Sequence, residues 1–167
     1  MTDHDTKHYI RKSLHANGRK KISDDIVAEI RREQITDELR DAGLRGHPLR
    51  SMESHYLPHI IGKNEHIKGV VYGYQEMGFV MLIATDRKII FLDRKPLFMN
   101  EDEITYDVVS GVVHNHSVIG TTVTLHTRVK DYKIFCFNRE STAIFVDYIE
   151  SRCLANNGKR ERNDIFA

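Results

Sequence analysis

Two histidines that lie two residues apart are the strongest candidates for chemistry in this chain of 167 residues. His114 and His116 flank Asn115 in a segment that is typical of a β-strand, so both imidazoles project from one face. Imidazole is a common ligand of transition metals, but a metal site needs additional ligands. Whether His126 supplies one depends on the register of the hairpin that follows.

Two possible turns give the histidine pair different neighbours. A two-residue turn at Ile119-Gly120 places the pair opposite Leu125 and Val123. A bulged turn, with its glycine in the left-handed conformation, shifts the register by one residue and brings His126 to the same face. Matching of apolar residues favours the first register, so we expect neither a metal nor another cofactor. A small metal-dependent enzyme built on these histidines is the weaker alternative.

The remaining polar clusters do not form a recognisable catalytic unit. The pairs Asp86-Arg87 and Asp93-Arg94 are typical of solvated turns, and the acidic run at 101–103 follows a predicted loop at 95–100. The sequence contains no nucleophile elbow and no glycine-rich phosphate loop. We therefore expect that the protein is not an enzyme.

Charge and hydropathy limit the classes of partner and location. The formal net charge is +1, so no overall field attracts nucleic acid, and the basic groups Arg11-Lys12 and Arg19–Lys21 are local. No apolar run approaches the roughly 20 residues of a membrane span, and residues 1–20 lack the apolar core of a secretory signal. Cys136 and Cys153 are then expected to be reduced thiols in a cytoplasmic protein.

The first 62 residues predict a flexible arm at 1–21 and a helical extension at 22–62. A helix begins after the cap residue Ser23 and ends at Gly43, and a second short helix covers 51–57. The first helix carries a narrow apolar stripe, which needs a surface to pack against. This stripe consists of Ile26, Ile30, Ile35, Leu39 and Ala42.

Between residues 63 and 156 the pattern predicts a barrel domain of β-strands followed by one helix. Seven strands are predicted at 67–74, 79–85, 88–93, 103–108, 111–118, 121–127 and 131–137. Short strands joined mainly by short turns indicate an antiparallel barrel or sandwich. Phe145, Ile149 and Cys153 then repeat at helical spacing after a cap at Asn138, and residues 157–167 form a tail.

This order of elements resembles that of a pleckstrin-homology (PH) domain. The lead-in at 57–65, the hairpin Leu82–Phe91 and the strand Glu103–Val108 are similar to segments of bacterial PH-like domains. The resemblance spans about residues 55–156 and implies a seven-stranded antiparallel barrel closed by a C-terminal helix, but no particular ligand. Members that bind phosphoinositides use cations of the first interstrand loop. The matching loop, Tyr74–Gly78, has none, so we expect no headgroup site there.

The hairpin at 79–93 has apolar residues on both faces, unlike a sheet with one face in water. One face must line the barrel and the other must be covered. We expect an outer patch of Val80, Leu82, Ile90 and Leu92, which would be an interaction surface if nothing covers it. The N-terminal helix of the same chain is one candidate cover, and a second protomer is the other.

The sequence therefore predicts a mainly β fold with flanking helices that serves as a non-catalytic interaction module. It would bind a protein partner or a second copy of itself through the outer sheet face or an edge of the barrel. Peripheral membrane association through the basic N-terminal arm is the alternative, and nucleic acid is not an expected partner.

Overall fold

The computed structural model describes residues 24–76 and 78–165, with the backbone alone for 156–165. The chain divides into two compact units, residues 1–34 and 35–167. In the first unit, the described residues 24–34 are helical, and Ile26 and Ile30 are exposed. The predicted arm at 1–21 and the predicted cap Ser23 lie outside the described residues.

The second unit is mainly β with flanking helices, as predicted. Its helices are α1 (35–41), α2 (Met52–Ile60) and α3 (Arg139–Ile165), with a short 3-10 helix at His47–Arg50. Its strands are β1 (Ile67–Gln75), β2 (Gly78–Thr85), β3 (Lys88–Lys95), β4 (Phe98–Thr105), β5 (Val109–His116), β6 (Thr121–Thr127) and β7 (Asp131–Cys136). They form one antiparallel sheet in the order β4-β3-β2-β1-β7-β6-β5.

Helix α3 closes the inner face of the curved sheet. Phe145 and Ile149 are fully buried in the inner cluster, and Cys153 packs against it, as their spacing predicts. The amide of Ser141 donates to Asn138 Oδ1 over 3.2 Å, which confirms the predicted cap of this helix. Burial of these apolar side chains on the strands supplies the main stabilisation of the barrel.

A short pairing between β1 and β7 joins the two halves of the sheet. Gly73 pairs with Cys136 and Tyr74 with Phe135. A side chain at position 73 would press on the Phe135 carbonyl and place its Cβ 2.7 Å from Ile134 Cγ2. Glycine is therefore required where the backbones approach most closely.

Helices α1 and α2 cover the outer face of β1–β3, so the cover belongs to the same chain. From α1, Ile35 and Leu39 of the predicted stripe are buried there, and from the region of α2 come Leu57 and Ile61. The outer cluster comprises Ile35, Leu39, Ala42, Leu44, Leu57, Ile61, Ile67, Val70, Met81, Ile83, Ile90 and Leu92.

The end of α1 approaches the start of α3. Gly43 has φ +83°, the left-handed conformation that glycine adopts readily after a helix, which confirms the predicted stop. A Cβ at this position would lie 2.9 Å from the Ser141 amide nitrogen. The carbonyl of Gly43 accepts a hydrogen bond from Asn138 Nδ2 over 2.8 Å, so one asparagine caps α3 and holds the end of α1.

Several predicted boundaries differ from the observed ones, among them those of β5, predicted at 111–118 and observed at Val109–His116. Strand β4 begins at Phe98 because only Pro96-Leu97 separates it from β3, and Lys95 pairs with Phe98. Helix α2 continues past Pro58 to Ile60, and α3 runs nine residues beyond 156 into the predicted tail. Among the described helices, including the long α3, none combines the length and the apolar composition that a membrane span requires.

Replacing Leu39 by Ala tests whether α1 is an integral part of the second unit. The change removes a fully buried side chain of the outer cluster, and we expect unfolding to become easier by about 2–5 kcal/mol in urea titrations. Ile30→Ala, at an exposed position, is the matched control and should change stability by less than about 0.5 kcal/mol. Equal effects of the two substitutions would contradict this role of α1.

Candidate functional site

The four residues predicted to form one outer patch lie on two faces, so that prediction is wrong. The turn between β2 and β3 contains only Asp86-Arg87, and the register pairs Leu82 with Phe91. Val80 and Leu82 consequently belong to the inner cluster, whereas Ile90 and Leu92 belong to the outer cluster. All four are buried within the chain, so a partner must contact other residues.

The turn between β5 and β6 lies one residue earlier than predicted. The amide of Ser117 donates to the Gly120 carbonyl over 2.7 Å, so Val118-Ile119 forms the turn. Gly120 instead begins the approach to β6, where a Cβ would lie 2.6 Å from Cζ of Phe135 and 2.7 Å from the Cys136 carbonyl oxygen. Close packing, and not turn geometry, explains the glycine.

This turn leaves the histidine pair without the third histidine. His114 lies opposite Val123 and His116 opposite Thr121, which corrects the predicted partners, and their rings are 4.9 Å apart. His126 lies opposite Gly111 on the other face and its Nδ1 is 2.9 Å from Asp131 Oδ1. Within residues 24–76 and 78–155, no group of three histidine, cysteine or carboxylate side chains could hold a metal ion.

The two cysteines are free thiols packed as apolar groups, as predicted. Burial of Cys136 in β7 raises the pKa of its thiol to about 12. Burial also raises the pKa of the half-buried Cys153 thiol, with a further contribution from the charge of Glu150. Because the thiolate is the nucleophilic form, neither cysteine is prepared for nucleophilic catalysis at neutral pH.

The buried hydroxyl of Thr85 connects the tip of the β2–β3 hairpin to its surroundings. It donates to Glu65 Oε1 over 2.6 Å and accepts the amides of Arg87 and Lys88 over 3.1 and 3.0 Å. The Thr85 carbonyl accepts the hydroxyl of Tyr106, which precedes β5. Burial is the main cause that raises the pKa of Tyr106, so this phenol remains protonated and able to donate.

The two turn residues, Asp86 and Arg87, make further hydrogen bonds to the surrounding segments. The amide of His66 donates to Asp86 Oδ1 over 3.0 Å, and Arg152 of α3 donates to the Asp86 carbonyl over 3.2 Å. Arg87 donates to the Asn64 carbonyl over 3.1 Å. The Thr85-Asp86-Arg87 segment, which carries much of the family resemblance, therefore has a structural role.

The mouth of the barrel contains a cavity of about 470 Å³ between the β1–β2, β3–β4 and β6–β7 turns. Both of its lysines are neutralised: Lys95 Nζ lies 3.0 Å from Asp93 Oδ2, and Lys130 Nζ lies 2.7 Å from Asp102 Oδ2. The hydrogen bond to Asp102 is the largest cause of the raised pKa of Lys130. Recognition of a phosphate needs converging cations, and here the two lysines already bind carboxylates.

The two edges of the sheet are protected to different degrees. The outer edge strand β4 carries an acidic run at 101–103, in which Asp102 and Glu103 pair with lysines. Strand β5 pairs with β6 on one side, and its sequence from Val109 to His116 contains no lysine, arginine or carboxylate. Val113 is 46% exposed and Val118, in the adjoining turn, is 97% exposed.

An edge strand that is long and uncharged is the surface on which another strand can add, since its backbone donors and acceptors remain available. The absence of charge over eight residues was visible in the sequence. Only the order of strands shows that β5 is an edge. We therefore identify β5 and its turn as the candidate interaction site.

Comparison with known proteins gives one family match. The family model described as bacterial PH domain matches residues 61–151, which excludes α1 and α2. Among solved structures, a DUF1696 family protein with a pleckstrin-homology domain from Shewanella loihica is similar, with 14% sequence identity and a TM-score of 0.44. The alignment covers 60% of this chain and 93% of that chain. No curated protein matches the chain.

Replacing Thr85 by Val tests the structural role of the hairpin tip. The side chain keeps its volume but loses its hydroxyl, which leaves the buried Glu65 carboxylate without one donor. We expect a loss of stability of about 2–4 kcal/mol in chemical denaturation, because several buried polar groups lose a partner. Thr124→Val, at a half-buried position of β6, is the control, and its free energy of unfolding should stay within about 0.5 kcal/mol of that of the natural chain. A Thr85→Val variant with unchanged stability would contradict this structural role of the hairpin tip.

Proposed function

The chain belongs to the bacterial PH domain family, and from this premise we propose that it is a non-catalytic module that assembles with a second copy of itself through β5. PH domains generally mediate protein or lipid interactions. The cytoplasm, inferred from the sequence, is the proposed location. The proposed interaction surface is an edge of the barrel, because α1 and α2 bury the outer sheet face.

The uncharged edge of β5 is the observation that carries this proposal. Edge strands of proteins are commonly protected by charged residues, proline or a covering element. Strand β4 follows this rule with its acidic run, whereas Val109–His116 has no lysine, arginine, carboxylate or proline, and its protection is limited to contact with α3 and a bulge between Val109 and Gly111. Pairing with another strand would satisfy the outward backbone groups of β5 and cover Val113.

A second copy of the chain suits this edge. Two β5 strands can pair antiparallel about a twofold axis, which makes the same surface serve both partners. The exposed turn residues Val118 and Ile119 would add apolar contact beside the pairing. A formal net charge of +1 produces little repulsion between copies.

Val113→Lys tests assembly through β5. We expect light scattering coupled to gel filtration to give a dimeric mass for the natural chain and a monomeric mass for Val113→Lys, because a paired edge would bury the new ammonium group. Hydrogen exchange of residues 109–116 should slow with rising concentration in the natural chain alone. Val129→Lys, in the exposed β6–β7 turn, is the matched control and should remain dimeric. A natural chain that is monomeric, with exchange independent of concentration, would exclude this assembly.

Contact with a lipid surface is the second candidate function, and the tip of the β3–β4 hairpin favours it. Leu97 is fully exposed, Phe98 and Met99 are about half exposed, and Lys95 Nζ lies 5.9 Å from the Phe98 ring centroid. Exposed apolar side chains at the tip of a hairpin suit insertion at the interface of a bilayer, whereas Lys95 already binds Asp93. The basic arm, Arg11-Lys12 and Arg19–Lys21, lies outside the described residues, so its membrane role stays a prediction.

Leu97→Asp tests this second function. We expect it to abolish co-sedimentation with vesicles of phosphatidylcholine and phosphatidylserine, because a carboxylate at the tip opposes both insertion and attraction to the anionic surface. Leu154→Asp, at an exposed apolar position of α3, should co-sediment as the natural chain does. If the natural chain does not bind such vesicles, or if both variants lose binding equally, the hairpin tip is not a membrane contact.

A further inference from the structure

A groove of about 480 Å³ lies on the outer side of the second unit, between the start of α2 and strands β1–β3. We call it the outer groove. One wall comes from His47 and the segment Arg50–Glu53, and the other from Tyr72, Phe79 and Arg94. Its volume falls within the range of about 300–1,000 Å³ that is usual for small-molecule sites. The first wall precedes residue 61 and so lies outside the part of the chain that matches the family.

Glu53 is the feature that points to a ligand. Only 4% of this residue is exposed and it lines the outer groove, and its carboxylate makes no hydrogen bond or ion pair with a described residue, so its oxygen atoms open into the groove. A carboxylate that opens into a groove without a protein partner is available to a cationic group of a ligand. Glu65, which is equally buried, shows the usual arrangement, since it accepts Thr85 Oγ1 over 2.6 Å and the Gly62 amide over 2.9 Å.

Two guanidinium groups of the outer groove also lack a carboxylate partner among the described residues. Arg50 is exposed at the end of the 3-10 helix, and Arg94 lies with its guanidinium 4.6 Å from the Tyr56 ring centroid. Lys95, by contrast, already binds Asp93. Arginine presents a planar set of donors that suits a carboxylate or a phosphate.

Aromatic rings form the apolar part of the groove. Phe79 stacks on Tyr72, with ring centroids 5.3 Å apart and an interplanar angle of 7°, and it remains half exposed. Burial and the charge of Glu53 raise the pKa of Tyr72, so its phenol stays protonated beside the carboxylate. An exposed stacked ring of this kind can accept a further flat or apolar group.

We propose that the outer groove binds a zwitterionic small molecule with an apolar body. Its ammonium group pairs with Glu53, its anionic group pairs with Arg50 and Arg94, and its body packs on Phe79. An aromatic α-amino acid is the simplest molecule that carries all three groups. This site uses no residue of β5, so it stands or falls independently of the proposed assembly.

Calorimetric titration of the full chain with L-phenylalanine and two truncated analogues tests the proposal. 2-Phenylethylamine lacks the carboxylate, and 3-phenylpropionate lacks the ammonium group. We expect saturable binding of L-phenylalanine and binding of each analogue that is about tenfold weaker or more, because each loses one charge-assisted contact. No saturable binding of L-phenylalanine, or equal binding of all three compounds, would overturn the proposal.

Substitution of the acidic residue and substitution of a basic residue of the outer groove should change the affinities for the three ligands in different ways. Glu53→Gln is expected to weaken L-phenylalanine by about tenfold or more while 3-phenylpropionate binds as before or more tightly. Arg50→Gln is expected to weaken both ligands that contain a carboxylate and to leave 2-phenylethylamine unchanged. Glu150→Gln and Arg128→Gln are the matched controls and should bind all three ligands as the natural chain does. If Glu53→Gln leaves the affinity for L-phenylalanine unchanged, the site is not as proposed.

Thermal unfolding without ligand gives a second measurement. Glu53→Gln should leave the melting temperature unchanged, since the Glu53 carboxylate makes no hydrogen bond or ion pair with a described residue. Glu65→Gln, which weakens two satisfied hydrogen bonds, should lower it. If Glu53→Gln lowers the melting temperature as much as Glu65→Gln does, Glu53 is a structural group and the proposal fails.

Discussion

Both faces of the β2–β3 hairpin are buried over its central residues 80–85 and 89–92, and this double burial determines how the rest of the second unit is built. Val80 and Leu82 pack inward with α3, while Met81 and Ile83 pack outward with α1 and α2. A sheet that is apolar on both faces needs a covering layer on each side. Residues 35–61 provide the outer layer, so this part of the predicted helical extension is integral to the fold although the family match begins at residue 61.

The tip of the same hairpin connects β2 and β3 to the segment before β1, to the segment before β5 and to α3. Thr85 satisfies two turn amides and the Glu65 carboxylate through one hydroxyl, and its carbonyl receives the phenol of Tyr106. Arg152 ties α3 to the neighbouring carbonyl of Asp86. A residue pattern shared by a family can therefore reflect a buried polar network, and the function has to be sought in residues outside that pattern.

What the two covering layers leave exposed determines where interactions can occur. At the mouth of the barrel, the ion pairs of Lys95 with Asp93 and of Lys130 with Asp102 occupy the cations that an anionic ligand would need. Strand β5 keeps an uncharged edge, and the gap between α2 and β1–β3 keeps a buried carboxylate beside arginines. These two surfaces consist of different residues and have different chemistry, one made of backbone groups and the other of charged side chains.

The sequence by itself determined the elements, their order and several of their ends, because apolar period, Gly43 and Asn138 act through contacts between near neighbours. It did not determine which residues share a face across a turn. The register of β2–β3 depends on a two-residue turn, and that of β5–β6 on the packing of Gly120 against Phe135. A shift of one residue in the register moves every side chain of a strand to the opposite face, so the four residues of the predicted outer patch were wrongly assigned to one face. The edge at β5 and the isolation of Glu53 were decided by the tertiary structure alone, because both depend on which distant segments lie beside them, or fail to do so.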